Sequence, residues 1–351
     1  MSNIFNKLID KKNTKVFLIA EMSGNHQNSY KGAKKFVEKA ILSGTDIIKF
    51  QVYTPETMTL KSYKKDFIVK SSVTKWSNFK SLYDLYEKAH TPWKWIENIS
   101  ILLNKKKFPW FASVFDTTSV EFLEKINCPA YKIASPEVND LNLIEKIAKT
   151  KKPIILSSGL SLVEDLDLAV KVIKKYHTKF AILKCTSSYP APYKDLNLLS
   201  INFLKKRYKC PIGFSDHSIG DLSAKVAVTL GATIIEKHFK LNEDSSSIDA
   251  HFSMELSKLS TFKKDLNEIK LILGKNKLFI PKSSKINLSG KRSLYVKKEI
   301  KKGSKFSKNN IASIRPSFSL DAKYFKKVIG KKSKKNLKFG DRIKQKDITN
   351  F

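Results

Sequence analysis

Eight short β-branched runs alternate with stretches of helical period, and a basic tail built on an internal repeat follows them. This pattern predicts an α/β chain, a (β/α)8 barrel followed by a small β module. Apolar residues make up 41% of the 351, enough for a substantial core, which excludes wholesale disorder.

The strand runs, in order, are VFLIA (16–20), DIIKFQ (46–51), PWFASVF (109–115), AYKIAS (130–135), PIILSS (153–158), FAILKCT (180–186), PIGFSD (211–216) and TIIEKHF (233–239). Helical patterns follow them, starting near Lys31, Leu82, Ser119, Leu141, Val163, Leu196, Leu222 and Leu256. A doubly wound open sheet is the rival. It calls for a glycine-rich phosphate loop after the first strand, and AEMSGNH is not one. The stretch from Tyr53 to about Ser81 is far longer than an ordinary βα loop, which marks it as a candidate lid or substrate-binding element.

The barrel is expected over residues 1–273, a Gly-, Ser-, Asn- and Lys-rich linker over 274–290, and the small module over 291–351. In the module, EIKKGSKFSKNNI (299–311) aligns without gaps to NLKFGDRIKQKDI (336–348). Two copies of strand, Gly turn and strand imply a pseudo-symmetric β unit. Its size makes it marginal alone, so it is expected to pack on a barrel, its own or a partner's.

The formal net charge is +35, but four of the 67 basic residues are arginine. Groove readout and phosphate clamping favour guanidinium, so the lysine excess reads as solvated surface and argues against a nucleic-acid partner. Residues 281–351 carry +18 of the total, consistent with a separate module. Cys128, Cys185 and Cys210 show no CxxC spacing and are odd in number, so a reducing cytoplasm is the expected location. Neither a signal h-region nor an 18-residue apolar span is present, so no membrane association is expected.

In such barrels the active site forms at the carboxyl ends of the strands. The polar residues there are Glu21, Asn25 and His26; Lys49 and Gln51; Ser113 and Asp116; Lys132, Ser135 and Glu137; Ser157 and Ser158; Lys184 and Thr186; Ser215, Asp216 and His217; Glu236 and His238. His217 and His238, from adjacent strands, either put two imidazoles on one divalent metal or are core histidines satisfied by backbone carbonyls. Two His with oxygen ligands suit an open Mn2+-like or Mg2+-like Lewis acid better than structural zinc. Lys49, Lys132 and Lys184 either clamp carboxylate and phosphate oxygens or supply a Schiff-base lysine. Metal, lysines and hydroxyls together favour a small phosphorylated anion as substrate.

With AEMSGNH, KFQVYTPETMTL, LYDLYEKAHTPWKW, YKIASPE, LKCTSSYPAPYKDLNL, GFSDHS and EKHF, and RSLYVKKEIKKG and SIRPSF in the tail, the chain resembles the sialic acid synthase family from about residue 15 to 350. LYDLYEKAHTPWKW and KFQVYTPETMTL favour the pseudaminic branch over the N-acetylneuraminate and legionaminate branches. The resemblance implies a barrel joined to an antifreeze-like (SAF, β-clip) domain in a domain-swapped homodimer. It also implies metal-dependent condensation of phosphoenolpyruvate with an amino-sugar aldehyde, in this branch 2,4-diacetamido-2,4,6-trideoxy-L-altrose.

By position, the resemblance makes His217 and His238 the metal ligands, and Lys49, Lys132, Ser135, Ser157 and Ser215 the phosphoenolpyruvate contacts. It puts Glu21 near the attacking water, Glu137 and Tyr189 on the sugar side, and Asp249 in the loop after the eighth strand. Gln51, Ser113, Lys184 and Asn197 join the substrate-binding set, and Arg315 is the arginine that the tail sends into the other subunit's site. Two departures stand out. The loop reads SSSIDAHFS where a Gly-Pro-Asp type turn is common in the family, and Ser319 stands where Gly, tolerant of positive φ, is common. The alternatives are a sibling synthase taking a manno-configured sugar, a Schiff-base aldolase, and a basic polyanion-binding protein; the last gives no reason for His217, His238, Lys132 and Glu137 all to fall at strand ends.

Overall fold

The computed structural model describes residues 2–69 and 75–351 and divides into two compact units, Met1–Gly274 and Lys275–Phe351. The first is a closed parallel barrel of β1 (Phe17–Glu21), β2 (Ile47–Val52), β3 (Trp110–Val114), β4 (Tyr131–Ile133), β5 (Ile154–Ser157), β6 (Phe180–Cys185), β7 (Ile212–Asp216) and β8 (Ile234–Lys240). β8 closes on β1 in a register running from Phe17 opposite Ile234 to Glu21 opposite His238. All eight predicted strands are present, each within a residue or two of its predicted bounds. Their residues are buried towards both the lumen and the helices, which is why they read as near-continuous apolar runs.

The outer ring contains α2 (Tyr30–Leu42), α5 (Trp93–Lys105), α6 (Thr117–Lys125), α7 (Leu141–Lys149), α8 (Val163–Lys174), α9 (Ser200–Tyr208), α10 (Leu222–Thr229) and α11 (Leu259–Leu273). Each turns an apolar stripe inward; α7, for example, buries Leu143, Ile144, Ile147 and Ala148. The helix expected near Leu196 starts at Ser200, because a 3-10 turn (Tyr193–Asp195) and Asn197 at a left-handed φ of 44° precede it. Asp116, at the end of the third strand, is used locally. Its Oδ1 caps α6 by accepting the Thr118 and Ser119 amides at 2.6 and 3.1 Å.

Two features depart from the sequence pattern. α1 (Ser2–Leu8) lies at the amino-terminal end of the barrel strands, where Phe5 meets the Phe111 ring edge-on at 5.6 Å. Between β2 and β3 the chain inserts α3 (Pro55–Met58), two 3-10 turns (Lys65–Phe67 and Lys75–Asn78) and α4 (Leu82–Ala89). The helix predicted near Leu82 is therefore α4 of this insertion, and α5 is the crossover. Residues 70–74 of the proposed lid lie outside the described residues.

In the second unit, β9 (Ser293–Val296) pairs antiparallel with β10 (Ile311–Ile314) and β11 (Leu320–Asp321), and α12 (Phe325–Val328) follows. The repeat appears as a pseudo-twofold. Ile300 bridges Leu337, its own equivalent, while the Gly340 amide donates to Val296 O and the Gly303 amide to Ser333 O. Gly303 and Gly340 sit at φ 84° and 82°, a conformation that favours glycine. Phe306 and Ile343, and Ile311 and Ile348, fill the core as matched pairs. The expected strand, turn and strand copies are mostly single bridges, because the two copies touch around the pseudo-axis and then diverge. Ser319 has no positive φ, and its hydroxyl accepts the Ile343 amide at 2.7 Å, so the serine ties the segment between the repeats to the second copy.

Candidate active site

Side chains alternate along each strand, so parity decides which residues of a strand end meet in the lumen. Lys49 and Gln51 of β2, Ser113 of β3, Lys132 of β4, Ser157 of β5, Cys185 of β6, Ser215 of β7, and Glu236 and His238 of β8 line one cavity of about 620 Å3. Ser135 and Glu137 after β4, Tyr189 after β6, His217 after β7, and Asp249 after β8 complete its polar half.

At the bottom is a buried charge cluster. Glu236 Oε1 accepts from Lys132 Nζ at 2.9 Å and from Ser215 Oγ at 2.9 Å, and lies 3.4 Å from Lys49 Nζ. Lys49 also pairs with Glu21 at 2.5 Å and donates to Ser113 Oγ at 3.0 Å. Burial would raise Glu236, but Lys132 and Lys49 outweigh it and hold the carboxyl well below the usual range. Burial pushes Glu21 up, with Lys49 opposing. Ser157 Oγ and Glu236 Oε2 are buried and have no protein partner, so they are free for a ligand. Gly159 keeps this floor open. A Cβ there would stand 2.4 Å from Ser187 Oγ and 2.7 Å from Ser135 Oγ, while the glycine amide donates to Ser135 Oγ at 2.8 Å.

His217 and His238 face each other with ring centroids 5.3 Å apart. His217 Nδ1 lies 3.1 Å from Thr186 O, which leaves Nε2 the nitrogen that could bind a metal, and His238 Nδ1 is buried without a partner. Burial, then the neighbouring His217 and Lys49 charges, keep His238 far below its ordinary pKa and hence neutral, the form that binds metal. Asp249 Oδ2 lies 3.8 Å from His238 Nδ1 and accepts from Ser23 Oγ at 2.5 Å. Among the described residues no group of three or more His, Cys, Asp or Glu is arranged to hold a metal ion. The paired imidazoles beside carboxylates fit instead an open divalent site whose remaining ligands are oxygen.

The other half of the cavity is apolar. Met58, Leu82, Leu85, Tyr86 and Phe115 line it, with Trp76 from the insertion. Trp76 lies 5.1 Å from the Tyr189 ring, and Tyr189 lies 4.4 Å from His217, so aromatic contact runs from the insertion to the histidines.

Two of the expected site residues, Lys184 and Asn197, do not line the cavity. Lys184 faces away from the lumen because its neighbour Cys185 faces in, and its Nζ donates to the Cys185 carbonyl at 2.7 Å. Asn197 is exposed at the left-handed turn before α9. Arg315 is exposed in the second unit. Glu21 is fully buried and touches the cavity residues through Lys49. Two central residues had no expected role: Glu236 was expected only as one of the strand-end polar residues, and Cys185 was not expected at the site. Glu236 shares the inward parity of His238 two residues on, a signal the sequence offers. Cys185 has its Sγ 3.8 Å from His217 Nδ1; burial raises the thiol, but His217 draws it down to about 7.

The sequence matches the NeuB family over residues 36–278 and the SAF domain over residues 291–349. It is 42% identical to the pseudaminic acid synthase of Campylobacter jejuni, covering 95% of this chain and 97% of that protein. Identity to the pseudaminic acid synthase of Helicobacter pylori is 39%, covering 94% and 97%. Among solved structures, the N-acetylneuraminic acid synthetase from Leptospira borgpetersenii superposes with a TM-score of 0.69 at 31% identity, covering 78% of this chain and 90% of that one. With the barrel, the cavity at its carboxyl-terminal mouth and these matches in agreement, the chain belongs to the NeuB family and carries a SAF domain at its C-terminal end.

Proposed function

We propose that this chain is a pseudaminic acid synthase, condensing phosphoenolpyruvate with 2,4-diacetamido-2,4,6-trideoxy-L-altrose to give pseudaminic acid and phosphate for surface glycans. The observation that carries this reading is the two-sided cavity. A lysine and hydroxyl floor suited to a small trianion lies beside paired histidines, under an apolar wall suited to a deoxy sugar with two acetamido groups. The names of the Campylobacter and Helicobacter relatives support the pseudaminic branch.

Lys49, Lys132, Ser113, Ser135, Ser157 and Ser215 hold the carboxylate and phosphate oxygens, which fixes C3 of the enol ether opposite the aldehyde carbon. Bound between His217 and His238, Mn2+ or Mg2+ would supply Lewis-acid polarisation of the aldehyde oxygen. As the new C–C bond forms, positive charge grows at C2, which a carboxylate as firmly ionised as Glu236 would stabilise. Water adds at C2 with Glu236 Oε2, buried and unpartnered, accepting its hydrogen bond, and the proton it sheds passes to the alkoxide left from the aldehyde oxygen. The C2–O bond to phosphate then breaks, and phosphate leaves with the bonding pair and takes the C2 hydroxyl proton as the carbonyl forms. Glu21 acts behind this, holding Lys49 charged. Glu137 and Tyr189 face the sugar.

The reading includes a homodimer in which the SAF domain serves the partner's barrel, and a cytoplasmic location in keeping with three free, buried cysteines. Among the described residues no helix is long and apolar enough to cross a membrane. The test is phosphate release from phosphoenolpyruvate with each candidate hexose, before and after EDTA. Turnover with the altrose, lost in EDTA and restored by Mn2+ or Mg2+, is expected. Release with N-acetylmannosamine alone would overturn the substrate, and a borohydride-trapped lysine adduct with EDTA-resistant activity would overturn the mechanism.

A further inference from the structure

The strand register that brings the two histidines together also pairs two residues on the other face of the sheet. Ser215 lies opposite Glu236 and Asp216 opposite Lys237. Since side chains alternate, Ser215, His217, Glu236 and His238 turn into the lumen, whereas Asp216 and Lys237 turn out towards the helices. Each of these two directly precedes one of the histidines. Both are 1% exposed, and Lys237 Nζ donates to Asp216 Oδ2 at 2.8 Å.

The rest of the network converges on the segment around His217. Asp216 Oδ1 accepts the Ser218 amide at 2.9 Å and the Ser218 hydroxyl at 2.7 Å, while Oδ2 also accepts Ser223 Oγ from α10 at 2.9 Å. Lys237 makes a second bond, to the Ser218 carbonyl at 2.9 Å. Thus the carboxylate has four donors. The residue after His217 is held by its amide, hydroxyl and carbonyl to groups on β7 and β8 together. A buried ion pair is a weak source of stability, since apolar replacements of similar volume are often neutral. What this one specifies is geometry.

We infer that the Asp216–Lys237 pair is a positioning device. It locks the His217 and His238 backbones at the separation at which two imidazoles share one divalent cation. This rests on the metal reading of the histidine pair, so the test separates the two.

The experiment titrates the intact chain with Mn2+ alone, following free Mn2+ by electron paramagnetic resonance, and records thermal unfolding in parallel. Wild type is expected to bind one Mn2+ per chain and His238→Ala to lose it. Wild type that binds none would overturn the metal reading and the inference with it. Lys237→Met is expected to weaken Mn2+ binding about 10- to 100-fold, the usual effect of losing an outer-shell partner. The double variant Asp216→Leu with Lys237→Met restores packing without the clamp. It should regain most of the thermal stability but not the affinity. If affinity returns together with stability, the pair is merely structural and the inference falls. Ser223→Ala, a mild change expected to fold, trims one bond to Asp216 and should weaken binding about threefold; wild-type affinity there would count against the clamp.

Discussion

Lys132 Nζ donates to Glu236 Oε1 across 2.9 Å at the centre of the barrel, with both side chains only 3% exposed. The same oxygen takes Ser215 Oγ, so one carboxylate orders groups from three strands. Lys132→Met removes the charge, while Glu236 keeps Lys49 at 3.4 Å. We expect kcat/KM for phosphoenolpyruvate to fall about 100- to 1,000-fold, the usual loss for a buried charged contact to a reacting anion. The KM for the sugar should change less than threefold. Steady-state kinetics with each substrate varied in turn checks this, and equal losses for both would place Lys132 outside the anion site.

Glu137 gives a pH dependence. Burial raises its carboxyl to about 7 from an unfolded value near 4.5. Because the folded state binds the proton more tightly, this contribution to stability is fully present below pH 4.5 and is lost as pH rises through 7. Glu137→Gln, a neutral isostere, should match wild type at pH 4. By pH 8 it should exceed wild type by ~2 kcal/mol, after discounting for partial exposure. Denaturant unfolding of both proteins across this range measures it; parallel curves would show that Glu137 ionises normally.

Gly159→Ala inserts a methyl group among the Ser135 and Ser187 hydroxyls and Cys185 Sγ, at 2.7, 2.4 and 3.0 Å. These are side chains and can turn away, so the protein should fold with a loss of about 1 to 3 kcal/mol. Turning Ser135 away costs the anion site a donor, and the KM for phosphoenolpyruvate is expected to rise about tenfold. Unchanged kinetics would mean that Ser135 does not touch the anion.

Trp76 tests the insertion as part of the sugar site. Its ring lies against Tyr189, and its Nε1 is buried without a partner. Trp76→Phe keeps a ring and removes the donor, whereas Trp76→Ala removes both. The sugar KM should rise about threefold and then about tenfold or more along this series, with the phosphoenolpyruvate KM steady. Movement of the phosphoenolpyruvate KM alone would remove Trp76 from the sugar side.

The eight strands were legible because burial on both faces writes them as unbroken apolar runs. That same property hid parity. In FAILKC, Phe180 and Ile182 are as buried against the helices as Leu183 is in the lumen, so nothing local told Lys184 from Cys185 as the inward residue. Glu236 was readable from its spacing to His238, but its role depends on Lys132 and Ser215, which only closure of the barrel brings near. Trp76 belongs to an insertion with no period of its own, and its contact with Tyr189 is wholly tertiary. Asp216 reads as a strand-end charge with no sign of its partner, and the sheet register sets it opposite Lys237.

Arg315 tests the assembly. It is exposed in the second unit, whereas His238 is buried in the first. If the SAF domain serves the partner's barrel, Arg315→Ala spoils the partner's site and His238→Ala spoils its own. Each variant alone should be nearly inactive. Mixed and allowed to exchange subunits, half of the dimers pair one chain of each kind, and such a dimer has one site with both residues intact. Recovery to about a quarter of wild-type activity is then expected. Full activity of Arg315→Ala alone, or no recovery from mixtures shown by mass spectrometry to have exchanged, would contradict the cross-subunit arrangement.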